Sequence, residues 1–111
     1  MGDQRAYRLG ANAFKALAHP TRIAILEMMR NGPICSCKIE PVLGLRQSNI
    51  AQHLGILRDS QLVTSYRDGI WVMYAATDPR VFEVIDVVNS IMHGQMEEAA
   101  LALAVAGGDA A

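Results

Sequence analysis

"QSNIAQHLGILRDSQLVTSYRDGIWVMYAAT", residues 47–77, changes its hydrophobic period half-way along, and that change decides the fold. In the first half, Ile50, Leu54 and Leu57 recur at helical spacing, while Gln47, Ser48, Asn49 and Gln52 lie largely off that stripe. From Leu62 onward, β-branched and aromatic residues fill two short runs around Asp68-Gly69. That dipeptide favours a tight hairpin because glycine accepts positive φ. An amphipathic helix with a polar start therefore runs into a β-hairpin.

Upstream, "SCKIEPVLG" (36–44) reads as a short helix closed by Gly44, with Pro41 tolerable only inside the first turn. Before it, "HPTRIAILEMMRNG" starts a helix at Pro20 and stops it at Asn31-Gly32-Pro33. Ile23, Ala24, Ile25, Leu26, Met28 and Met29 cover nearly its whole circumference, which predicts a central helix. Residues 5–18 form a first helix, with Tyr7, Ala11, Phe14 and Ala18 at helical spacing. Downstream, Pro79 opens a last helix carrying Phe82, Ile85, Val88, Met92 and Met96, with helical character fading at Gly107-Gly108.

The order α-α-α-α-β-β-α predicts a mainly α chain with a β-hairpin wing, a winged helix-turn-helix. One domain is expected over 1–111, with the helix-turn-helix at 36–61 and the wing at 62–77. A helix-turn-helix chain of 111 residues reads two half-sites by pairing with a copy of itself. The helices 5–18 and 80–106 are therefore assigned to the seam of a homodimer.

The net charge of −1 is unevenly spread: +3 over residues 1–45, +1 over 46–77 and −5 over 78–111. A mildly basic body beside an acidic end is compatible with one DNA-facing surface. No segment approaches the roughly 20 apolar residues of a membrane span, and the first residues have no long apolar run. A cytoplasmic setting without membrane partners is expected. There is no phosphate-binding glycine loop, no C-x-x-C in a βαβ setting and no nucleophile–base–acid set. An enzyme is not expected, catalytic residues are none, and no organic cofactor is expected.

Cys35 and Cys37, in "NGPICSCKIEPVLG" (31–44), are the chain's two cysteines. They are either two small buried hydrophobes or a reactive chelate. A disulfide across one residue closes a tight ring, which argues against a structural bridge. In a regular helix, residues i and i+2 stand about 200° apart, so the thiols can face one ion only if the helix start is unwound. Pro33 places them at such a start. Lys38 and the helix N-terminus favour thiolate, and soft ions select thiolates.

The segments "FKALAHPTRIAIL", "CSCKIEPVLGLRQSNIAQHLGILRDSQLV" and "YRDGIWVMYAAT" resemble the ArsR/SmtB metalloregulators over about residues 12–78. The resemblance implies a homodimeric winged-helix repressor that binds double-stranded operator DNA and releases it when an inducer binds. Cys35 and Cys37 fall on the family's C-x-C motif, which implies arsenite or antimonite as inducer first, and a soft divalent metal such as cadmium or lead second. A thiol-redox or persulfide response of the same pair is the alternative. Lys38 stands where the family commonly has Asp, and Glu40 where the arsenite branch often has a third Cys. Arg46 replaces a common capping Ser, so Ser48 is expected to cap the recognition helix. Gln61 replaces a common Gly.

Gln47, Ser48, Asn49 and Gln52 are expected at base edges, since Gln and Asn can pair bidentately with adenine. Arg46, Arg58 and Arg67 are expected at phosphates. His53 is also a candidate phosphate contact, although His19 and His53 read first as hydrogen-bonded structural residues. His93 and Glu97 stand at i, i+4 where zinc- and nickel-sensing relatives bind metal, but the early His of that motif is missing at Asp86-Val87-Val88. They read as a solvated face.

Overall fold

The computed structural model describes residues 3–110, so the outermost residues of the expected 1–111 domain lie outside it. The chain divides into two units, one ending at Pro79 and one beginning at Arg80. In the first unit the elements are α1 (Gln4–Leu17), α2 (Pro20–Glu27), β1 (Ile34–Cys35), a 3-10 turn (Ser36–Lys38), α3 (Ile39–Leu43), α4 (Gln47–Asp59), β2 (Val63–Asp68) and β3 (Trp71–Ala76). The second unit is α5 (Arg80–Ala110).

The helical half follows the expected periods. Ile25 and Leu26 are fully buried and Met29 nearly so, which makes α2 the central helix. Its regular ladder ends at Glu27, short of Asn31-Gly32-Pro33. Beyond it, the N–H groups of Met29, Arg30 and Gly32 donate to the carbonyls of Leu26, Glu27 and Met29, so the chain tightens into successive i→i−3 turns. Ile50, Leu54 and Leu57 of α4 are buried against this core, as are Ala16, Ile39 and Val63. Pro41 falls in the first turn of α3, where its missing N–H costs nothing. Gly44 then ends α3 in the left-handed region, φ 65°, and turns the chain toward α4.

The N-cap position of α4 is Arg46, with extended backbone and no side-chain cap. Ser48 is one of the helix's first residues, inside the first turn, and the expected capping role falls away. A cap must stand outside the first turn to reach its free N–H groups.

The wing is an antiparallel hairpin running from Val63 opposite Ala76 to Asp68 opposite Trp71, with Gly69-Ile70 as its two-residue loop. Gly69 takes φ 64° at the first loop position, a geometry that matches the right-handed twist of the strands. The sheet has a third strand that the sequence reading did not predict. β1 pairs with β3, Ile34 opposite Tyr74 and Cys35 opposite Met73, in the order β1-β3-β2.

α5 buries Val81, Phe82 and Ile85, whereas Val88, Met92 and Met96 are about half exposed or more. The expected apolar stripe is thus split between a buried start and an exposed remainder. The helix continues through Gly107-Gly108 to Ala110, beyond the expected fading point. Among the described residues no helix is long and apolar enough to cross a membrane.

The end of α4 is held by two bonds, from Gln61 N–H to the Arg58 carbonyl (2.9 Å) and from Leu62 N–H to the Leu57 carbonyl (3.0 Å). This double closure requires a left-handed residue, and Gln61 occupies it at φ 66°. Because left-handed backbone costs an L-residue about 1–2 kcal/mol, Gln61→Gly is expected to stabilise the protein by about 1 kcal/mol. Urea unfolding of the two forms measures this through the transition midpoint; an unchanged or lowered midpoint would contradict it.

Candidate functional site

Two groups of candidate side chains stand on the first unit. One is the start of α4. Arg46, Gln47, Ser48, Asn49 and Gln52 are all exposed, because Ile50, Leu54 and Leu57 turn the opposite face inward. Ser48 and Gln52 share one line along the helix, as do Asn49 and His53, each pair at i, i+4. Arg58, at the other end of α4, and Arg67 on the wing are exposed as well. A row of short amides and hydroxyls flanked by guanidiniums suits base edges and phosphates respectively.

His53 differs from its neighbours. It is half-buried, and its ring lies 4.6 Å from that of His19, tilted by 56°. Its Nδ1 is 3.4 Å from Nη1 of Arg22. Arginine can only donate, so this nitrogen accepts and the neutral ring carries its proton on Nε2. Arg22 also donates from Nε to the Ala16 carbonyl and from Nη2 to the Lys15 carbonyl (3.2 Å). Those carbonyls belong to the last turn of α1, where the Lys15 oxygen also accepts the N–H of the capping Ala18 at 3.2 Å. His19 in turn caps α2, its Nδ1 accepting the Thr21 N–H at 3.1 Å.

One guanidinium therefore ties the end of α1 and the start of α2 to the recognition helix. The structural reading of His19 and His53 is the one the structure carries, with the addition that they touch each other. Arg22 was missed as a site residue. In the sequence it is one cation in an apolar helix, and its partner on α4 lies 31 residues away.

The second group is the thiol pair. Cys35 ends β1 in extended backbone, φ −80° and ψ 141°, and Cys37 lies one residue into the 3-10 turn. The expected unwound start is present: the pair straddles a strand-to-turn junction, so the 200° separation of a regular helix never arises. Their Cα atoms are 5.1 Å apart, and the two sulfurs lie against each other. The Cys37 N–H also donates to Cys35 Sγ at 3.2 Å. Cys35 is buried and Cys37 exposed.

No group of three His, Cys, Asp or Glu side chains able to hold a metal ion forms among the described residues. Two sulfurs are what this part of the chain offers a soft ion. Beside them opens a cavity of about 440 Å³ whose walls include Pro33, Ile34, Trp71 and Met73, with Lys38 and Asp68 as its charged members. On α5, His93 Nε2 and Glu97 Oε1 pair with each other at 2.9 Å, both well exposed, which is the solvated face expected of them.

Residues 19–65 match the family described as "Bacterial regulatory protein, arsR family". An uncharacterized helix-turn-helix transcriptional regulator of Methanocaldococcus jannaschii is 38% identical over 86 residues, spanning 77% of this chain and 97% of that protein. The arsenical resistance operon repressor of Bacillus subtilis is 36% identical over 69 residues, 61% of this chain and 66% of that one. Among solved structures, Rv0081 of Mycobacterium tuberculosis superposes with a TM-score of 0.78 at 32% identity, over 86% of this chain and 96% of the other.

The pKa of His53 lies below its ordinary 6.5, through burial first and then through the charges of His19 and Arg22. Below pH 6.5 the unfolded chain takes up this proton and the folded chain resists it, so stability falls as pH drops from 6.5 toward the lower folded value. Protonation would also set an N–H on Nδ1 against the Arg22 donor. Thermal unfolding of wild type and His53→Gln between pH 7.5 and about 5 checks this. The wild type should lose more Tm across that interval; parallel curves would refute the role given to His53.

Proposed function

The chain belongs to the ArsR family of helix-turn-helix transcription regulators, and on that premise we propose a homodimeric repressor whose Cys35/Cys37 pair senses a thiophilic inducer and releases operator DNA. A DNA-binding winged helix, not an enzyme, is the fold of this family. The observation that carries the reading is the convergence of two sulfurs at the strand-to-turn junction immediately before α3, the first helix of the helix-turn-helix. Arsenite or antimonite is the first choice of inducer, and cadmium or lead the second. Support comes from the soft donor set and from similarity to a repressor of arsenical resistance. The setting that fits such a reducible thiol pair is cytoplasmic.

Each protomer would present Gln47, Ser48, Asn49 and Gln52 to base edges, with Arg46, Arg58 and Arg67 on phosphates. His53 sits one turn beyond Asn49, and its Nε2–H remains for a phosphate. Pairing of two copies is supported by apolar side chains that are otherwise exposed. On α1, Tyr7 is 70% and Phe14 62% exposed; on α5, Val88, Met92 and Met96 run from 47% to 69%. Such surfaces are normally covered by a partner.

Inducer at the pair must draw Cys35 and Cys37 into one coordination shell, which changes the 3-10 turn and the start of α3. Release follows if the dimer with the altered turn binds DNA less well. The closeness of the two sulfurs favours a second reading, in which oxidation to Cys35–Cys37, or persulfide formation there, is the releasing event.

A mobility-shift assay on the promoter of the protein's own operon tests both. Reduced wild type should be released by arsenite, while Cys35→Ser and Cys37→Ser should bind DNA and ignore it. Release of both serine variants by arsenite would overturn the site. Release by peroxide or polysulfide, without any response to arsenite, would select the second reading.

Salt dependence offers a separate check on the DNA face. Three arginines per protomer in a dimer predict a slope of log K against log salt of about −5. Arg67→Ala should reduce its magnitude by about 2, one contact per protomer. An unchanged slope would remove the wing arginine from the interface.

A further inference from the structure

One face of the small sheet is largely apolar and half open, and register defines it. Cross-strand partners share a face, and side chains alternate along each strand. Cys35 and Tyr66 both stand opposite Met73, and Asp68 stands opposite Trp71. Trp71 is two residues from Met73, so all five lie on one side of the sheet. Val63, the buried anchor of β2, points to the other. Trp71 is 52% exposed and Tyr66 46%, which leaves much ring area uncovered.

Against this face opens the cavity of about 440 Å³, within the usual range of small-molecule pockets, about 300–1,000 Å³. Its charged members come from separate elements, Lys38 from the 3-10 turn and Asp68 from β2. Both are exposed, and among the described residues no ion pair joins them. Two opposite charges kept apart on the walls of an apolar space complement a particular kind of molecule. It is flat, with an acid at one end and a hydrogen-bond donor at the other. Its ring can stack on the indole and meet the Met73 sulfur. Its ends gain charge-assisted hydrogen bonds, the stronger kind.

We propose that this cavity is a second effector site, for an aromatic acid of the hydroxybenzoate or aminobenzoate class. The ring lies between Trp71 and Met73, Lys38 Nζ donates to the carboxylate, and the hydroxyl or amine donates to Asp68. No bond to Cys35 or Cys37 is made, so the site stands apart from the thiophilic inducer and rests only on the DNA-binding reading for its effect. An occupant joins the 3-10 turn to the wing strand, next to Arg67. Its binding and operator binding are thereby coupled.

The test titrates reduced full-length protein with 4-hydroxybenzoate, read by Trp71 emission, and by calorimetry in the Trp71 variants. Half-saturation is expected at or below about 100 μM, within what a ligand of this size can reach. Phenol, which lacks the acid, and cyclohexanecarboxylate, which lacks the flat ring, should each bind at least about tenfold more weakly. Trp71→Ala and Lys38→Gln should each weaken 4-hydroxybenzoate at least about tenfold, while Trp71→Phe keeps most of the affinity. Circular dichroism of each variant confirms that the fold persists. Dialysis should return free protein with both thiols still titratable. Absence of saturation, equal binding of the three compounds, indifference to Lys38→Gln or a consumed thiol would each overturn the site and leave the thiophilic-inducer reading intact. In a mobility-shift assay on the protein's own promoter, saturating 4-hydroxybenzoate should move operator half-saturation at least about threefold without any metalloid present. An unmoved value would overturn the effector role.

Discussion

Two residues of β1 decide how the sensing end of the molecule is built. The backbone pairing of Ile34 with Tyr74 and Cys35 with Met73 holds the chain extended up to Cys35. Only because Cys35 is extended can Cys37, already in the 3-10 turn, bring its sulfur back toward the first. Had Pro33 been followed directly by a regular helix, the thiols would have pointed away from each other. The same pairing places Met73 and Trp71 beside the sulfurs and so forms the cavity. Thiol pair and pocket are consequences of one short ladder.

The DNA-facing end depends on a different device. α4 is anchored by Ile50, Leu54 and Leu57 and by the contact between His53 and Arg22, whose guanidinium also satisfies two carbonyls at the end of α1. An arginine suits this position because its planar fork can serve several acceptors in fixed directions, which a lysine ammonium cannot. The outward side chains of α4, by contrast, make no contribution to that anchoring and stay exposed.

The helix-turn-helix and the hairpin were legible because each has its own hydrophobic period, sustained over several residues. The boundary of α4 with the wing, the turn at Gly69 and the closing role of Gly44 all followed from that signal and from glycine's access to positive φ. β1 was not legible, since two residues have no period, and without it the junction at Cys35 could only be read as the start of a helix. Arg22 stayed hidden because its importance lies in a contact between segments far apart in the chain. Ser48 was given the capping role of the Ser that the family commonly has at position 46, whereas position relative to the first turn decides capping.

The two ends differ in how firmly they are held, and this bears on how a change at the thiols would travel. One route runs through α3 and the Gly44 turn into α4, whose buried stripe and Arg22 tie resist displacement. The other runs across the β1–β3 ladder into the wing, where Val63 is the one fully buried residue of either strand among those described. Elements with few buried apolar contacts open and shift at lower free-energy cost. A rearrangement at Cys35, one hydrogen-bonded rung from Met73, would therefore be expressed first in the hairpin and its Arg67. If Arg67 makes the proposed phosphate contact on each wing of the proposed dimer, its loss lowers affinity twice over. Repression could then be lifted without any change in the residues that read the bases.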